Sequence, residues 1–168
     1  MELRVQRQKK GRRRWVVVFV VLVALVWGMN AFMLGRPVAA ALAADPRTAG
    51  LVVKAHLRYF LDPTTVTLDL GKVQAADSTD VFRGLMLAAS AVDRSAWPFA
   101  GFVLCRDGDA VFTIAGADLY QLAHDYGVAR RPAVVLVALL AKLRPAAGAG
   151  GAGATVEEAA RRWITGRP

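Results

Sequence analysis

Hydrophobic and polar positions follow one rhythm up to Leu34 and others beyond it. Trp15 to Leu34 reads WVVVFVVLVALVWGMNAFML, twenty residues without a charge. A helix of roughly 20 apolar residues crosses a bilayer core about 30 Å thick, so residues 15–35 are predicted to form a transmembrane helix. After Pro37 and an Ala-rich run, Leu51, Ala55 and Tyr59, with Val52 one step round, lie on one helical stripe. That spacing predicts a helix over 47–61, continuing the membrane helix after a break and ended by Asp62-Pro63. Val66, Leu68 and Leu70 then alternate with Thr67 and Asp69, the period of a half-buried strand over 66–71.

Residues 77–94 return to helical spacing, with Val81, Leu85, Ala88, Ala89 and Val92 on one face and Asp77 or Ser78 as N-cap. Two apolar runs within 99–116 flank Asp107-Gly108, a pair suited to the positive φ angles of a tight hairpin turn. A third helix over 117–126 carries Leu119, Leu122, Ala123 and Tyr126, with Gly127 placed to cap it. Residues 132–144 suit a helix or a buried strand, and are too short for a second span. Residues 145–154 (PAAGAGGAGA) read as a linker. A short terminal helix over 155–168 opens on Thr155 and Glu158, a capping-box pair. The fold class is therefore α+β: one N-terminal transmembrane helix, then a small domain over 45–144 whose sheet of three or more strands is covered by helices.

Charge gives this layout a direction. Residues 1–14 hold seven Lys/Arg against one Glu, whereas residues 45–168 hold 14 against 12. Basic residues stay on the cytoplasmic side of a span, which places the tail in the cytoplasm and the domain in the periplasm of a bacterial inner membrane. The net charge of +9 is thus mostly a topology signal. It does not mark a basic domain face for nucleic acid. A rival reading takes residues 1–44 as a cleaved signal peptide, with Ala41-Leu42-Ala43 as its cleavage motif. The apolar run is long for that purpose, and Arg36 and Pro37 stand between it and the motif, so an uncleaved anchor is favoured. Within the span, Ala24 and Gly28 make a small-xxx-small face suited to helix association, and Asn30 offers a hydrogen bond to a neighbouring helix.

Candidate chemistry is sparse. The sole cysteine, Cys105, rules out an internal disulfide. Its neighbour Arg106 points to the other strand face, so a small buried thiol is expected. Gly148, Gly150 and Gly153 match G-x-G-x-x-G, but no strand–helix unit surrounds them. His124 and Asp125 are adjacent on a helix and face different ways, and zinc needs three or four converging ligands. Asp107-Gly108-Asp109 lacks the rest of a calcium loop. The remaining aspartates fall at turns, caps and outward strand positions. No catalytic residue, cofactor site or metal site is assigned.

The function this predicts is non-enzymatic: a single-pass subunit of an envelope assembly of the secretion, conjugation, pilus or division type, acting through protein–protein contact. Its partners would be other membrane or envelope proteins, including further copies through the membrane helix. Trp97, Phe99, Phe102 and Tyr120 are the candidate interface aromatics, with core filling as their other use. The alternative is an exported periplasmic ligand-binding protein, should the N-terminal segment be cleaved.

Overall fold

A computed structural model describes residues 2–59, 62–73, 78–94, 97–128 and 132–146. The terminal helix expected over 155–168 and the glycines at 148, 150 and 153 lie outside the described residues, as does most of the expected linker. The chain opens with a long helix, α1 (Glu2–Asn30), which passes through a π-helical turn (Ala31–Gly35) into α2 (Arg36–Ala43). No break follows the apolar run, contrary to the expectation. The reason lies at Pro37, which has no N–H and whose ring would clash with the carbonyl four residues earlier in a regular helix. The wider turn absorbs that clash: the N–H of Arg36 donates to the carbonyl of Ala31, five residues back. The turn carries the helix on to Ala43, where Thr48 Oγ1 donates to the carbonyl of Leu42 at 2.9 Å.

The sheet has five strands in the order β1–β2–β3–β4–β5. These are β1 (Leu51–Arg58), β2 (Asp62–Val73), β3 (Gly101–Arg106), β4 (Asp109–Ala115) and the two-residue β5 (Arg144–Pro145). Two antiparallel hairpins, β1–β2 and β3–β4, are joined in parallel at β2–β3 through the crossover helix α3 (Ser78–Asp93). Helices α4 (Gly116–Val128) and α5 (Pro132–Lys142) follow β4.

Residues 51–58 form β1, not the helix expected over 47–61. A spacing of four residues, as in Leu51, Ala55 and Tyr59, suits a helix, and because it is even it suits a strand equally. The intervening positions decide: Leu51 and Ala55 are buried while Val52 and Lys54 are exposed, and the adjacent β-branched Val52 and Val53 favour the extended chain. The hairpin is where it was expected, with Asp107 at φ 51° and Gly108 at φ 92°. The Gly108 N–H donates to Asp69 Oδ1 at 3.1 Å, tying the turn to β2. Residues 132–142 resolve as a helix, and β5 follows.

One face of the sheet holds the core. Val66, Leu68, Leu70, Phe102, Leu104, Phe112 and Ile114 pack with Val81, Leu85, Met86 and Val92 of α3, Leu119 of α4 and Leu139 of α5. Leu34, Val38 and Leu42 join the same cluster. Spaced by four, they put one stripe of the long helix inside the domain core. The apolar helix and the domain are therefore one packed body.

Candidate functional site

The residues singled out in the sequence separate into three places. Ala24 and Gly28 lie one turn apart on the bare part of α1, and a Cβ added at Gly28 would meet nothing within 4 Å. They line a shallow apolar groove with Leu25, Met29 and Phe32. That face is open to a close-packed neighbour.

Asn30 lies elsewhere. It is buried, and its Oδ1 accepts the backbone N–H of Leu57 in β1 at 2.7 Å while its Nδ2 donates to the carbonyl of Val26 at 2.9 Å. The bond expected to reach a neighbouring helix is thus made within the chain, and it joins the long helix to the sheet edge. An unsatisfied buried amide costs about 1–3 kcal/mol. Asn30→Leu, which keeps the volume but removes the acceptor, should lower the stability of the domain by about 2 kcal/mol in a denaturant titration in detergent. Asn30→Ser should recover part of that loss.

Of the four aromatics, three belong to the core. Phe99 and Phe102 are buried, and Phe102 meets Phe99 and Tyr120 edge to face, at centroid distances of 6.5 and 5.4 Å. Burial raises the Tyr120 hydroxyl above its ordinary pKa. Trp97 differs: it is 51% exposed, and its Nε1 donates to the carbonyl of Pro63 at 3.3 Å. Beside it lies a cavity of about 130 Å³, lined by Met29 and Met33 of the long helix and by Leu57, Pro63, Trp97 and Phe99 of the domain. Sequence reading missed it, because its walls come from three stretches far apart in the chain: the end of the apolar run, the β1–β2 hairpin and the loop at Trp97. The one signal available was a polar residue, Asn30, inside an apolar run.

The polar groups serve the scaffold. Asp45 pairs with Arg83, and Arg47 pairs with Asp80 at 2.7 Å, clamping the loop after α2 to α3. The Arg83 side-chain hydrogen bond is the main cause holding the Asp45 carboxyl below its usual range, so this clamp persists until the pH falls through that lowered pKa. Asp62 Oδ1 accepts from the N–H and hydroxyl of Thr64 at 2.9 and 2.7 Å, and Asp118 pairs with Lys142. His124 is largely exposed, 3.7 Å from Asp125. Among the described residues no three His, Cys, Asp or Glu side chains converge as a metal site.

Cys105 is buried on the sheet face away from the core cluster, and burial, reinforced by Asp69, pushes its thiol up to about 11. Thiolate is the reactive form, so at pH 8 the folded chain should react with a maleimide at least about 100-fold more slowly than the unfolded chain. The thiol binds its proton more tightly when folded, so the stability it contributes is fully present below its ordinary pKa of 9.0 and is lost as pH rises towards about 11. A difference between melts at pH 8 and pH 10.5 that shrinks in Cys105→Ala, leaving the part due to the buried Tyr120 hydroxyl, would confirm the assignment.

Fold and site together define a class: a small α+β domain built directly onto a helix long and apolar enough to cross a membrane. No protein-family model, curated protein or solved structure matches the chain.

Proposed function

We propose that this chain is an uncleaved single-pass protein of the bacterial inner membrane, with its basic tail in the cytoplasm and its domain in the periplasm. In this reading it is a non-enzymatic structural subunit of an envelope assembly. The observation that carries the reading is the unbroken helix running from the apolar segment into the domain core through Leu34, Val38 and Leu42. It supports an anchor over a signal peptide, because cleavage after Ala43 would remove three core side chains. It also supports a role in positioning: a domain packed onto its own span stands at a fixed height and orientation, whereas a flexible linker would let it wander. The charge asymmetry of the flanks supports the orientation.

The bare Ala24–Gly28 face is the candidate contact for a neighbouring span. Small residues let helix backbones approach closely in lipid, and a β-branched side chain there blocks the approach. Gly28→Ile should therefore cut self-association in a membrane-helix reporter by about tenfold, a change of about 1.4 kcal/mol. The broader reading is tested by expressing the tagged full chain in a Gram-negative host and crosslinking in intact cells before detergent extraction. Defined envelope proteins recovered with the wild type, and lost with Gly28→Ile or with substitutions on the exposed domain surface, are the expected result. A chain recovered alone, soluble and shortened would contradict it.

A further inference from the structure

Resting on the reading that Trp15–Leu34 crosses the bilayer, we infer that the lower end of the domain is itself immersed in the outer interfacial layer of lipid. We further infer that the cavity beside Met29 takes part of a phospholipid acyl chain. The bare length of the helix is short for a full crossing. From Trp15 to Met29 its side chains are exposed apart from a half-buried Val26, and from Asn30 onward the domain covers one side. Fifteen residues rise about 22 Å, against a hydrocarbon core of about 30 Å. The first charge after the run is Arg36, six residues beyond Asn30 or about 9 Å further out. If Arg36 marks the head-group level, the domain at the height of Asn30 lies at the edge of the hydrocarbon.

Strand β1 runs back down the helix towards that depth. Leu51 lies near Leu42, the Ala55 carbonyl is 3.9 Å from a Cβ built on Gly35, and the Leu57 amide bonds Asn30. Tyr59 follows the last residue of the strand, in a turn where its φ is 51°. It is 75% exposed, with the Arg58 guanidinium 5.0 Å from its ring centre. Trp97 is also exposed at this end, bonded to Pro63 at the start of β2. Exposed Tyr and Trp at one end of the domain, with an arginine beside the Tyr ring, are the composition of a membrane interface.

The cavity fits the same environment. Four of its lining residues, Met29, Asn30, Met33 and Leu34, belong to the span, which places it at the depth of lipid tails. Asn30, the polar residue in its lining, has its Oδ1 and Nδ2 engaged by Leu57 and Val26. Apolar cavities of about 150 Å³ stay dry and accept small apolar ligands such as benzene. A volume of about 130 Å³ therefore suits a segment of one chain, not a whole lipid. Flexible methionine walls adapt to such an occupant.

The test uses the full chain in phospholipid vesicles, with tryptophan emission read against lipids brominated high on the acyl chain. One variant keeps Trp97 alone (Trp15, Trp27 and Trp163 to Phe) and a second keeps Trp27 alone. Thermal melts of the domain check that both fold. The expected result is blue-shifted Trp97 emission quenched by about half, alongside quenching of Trp27. Leu57→Phe, which fills the cavity, should reduce the Trp97 quenching by about half and leave Trp27 unchanged. Quenched Trp27 with red, unquenched Trp97 would overturn the inference while the anchor stands. Blue but unquenched Trp97 would overturn it in favour of a second copy covering this end. Equal quenching with and without Leu57→Phe would remove the cavity as a lipid site. If Trp27 is unquenched as well, the transmembrane reading fails, and the inference with it.

Discussion

A chain carrying Leu22→Arg and Leu25→Arg is expected to disappear from carbonate-washed membranes. Both positions are exposed on the bare helix and near the middle of the apolar run. The run contains twelve Leu, Val and Phe residues. At about 0.3–0.6 kcal/mol each they favour insertion by roughly 5 kcal/mol. Each mid-span arginine opposes insertion by about 2.5–3.5 kcal/mol. Two of them, with two favourable residues lost, reverse the sign. Neither side chain belongs to the core cluster, so the thermal melt of the domain should not change. That separation makes the experiment informative: a lost membrane pellet with an intact melt isolates the role of the span. Leu22→Ala with Leu25→Ala, which removes apolar area without adding charge, should remain in the membrane.

The second large effect is expected at Gly116, where α4 leaves β4. A Cβ there would sit 2.0 Å from the carbonyl oxygen of Phe99 and 3.0 Å from its carbonyl carbon. The Gly116 N–H is held to the Ala100 carbonyl at 2.8 Å, so the two backbones cannot separate without losing that bond. Gly116→Ala should therefore destabilise the domain by about 3 kcal/mol or more and lower its Tm by roughly 10–20 °C. Gly84 gives the contrast. A Cβ there would meet Leu51 Cδ1 at 2.7 Å and Leu42 Cδ2 at 3.3 Å. Both are tips of rotatable side chains, and alanine favours the helix by about 1 kcal/mol over glycine. Gly84→Ala should stay within about 1 kcal/mol of the parent. A loss at Gly116 no larger than that at Gly84 would contradict a backbone contact between Gly116 and Phe99.

The sequence reports periodicity well and partners poorly. Asp107-Gly108 between two apolar runs identified the hairpin because the turn type requires positive φ at both residues, and few pairs supply it. The helices at 78–93 and 116–128 were visible because their apolar stripes run for several turns. Residues 51–58 were misread because Leu51, Ala55 and Tyr59 satisfy two periods at once. Strand β5 escaped because two residues carry no period at all; it exists through the N–H of Ala146 donating to the carbonyl of Val111 at 2.9 Å and the ladder beside it. Asn30 shows the same limit at the site. A polar side chain in an apolar run has to bond something, but only the fold reveals that its acceptor goes to Leu57, 27 residues on. Trp97 and Phe99, two residues apart in a loop, look equivalent as letters, yet one lies on the surface and the other in the core. The cavity beside them is assembled wholly by long-range packing.

The most direct test of the central proposal, an uncleaved helix holding the domain on the outer side of the membrane, is one mass measurement. A chain carrying Cys105→Ser and Gln121→Cys, the latter on the exposed side of α4, is treated in intact spheroplasts with a membrane-impermeant maleimide. It is then recovered from carbonate-washed membranes and weighed intact. The account predicts the full-length chain of about 18.0 kDa bearing one label. An unlabelled full-length chain would put the domain in the cytoplasm, and a chain absent from the washed membranes but found in the soluble fraction without its first 43 or so residues would mean the helix is a removable signal. Either result would contradict it.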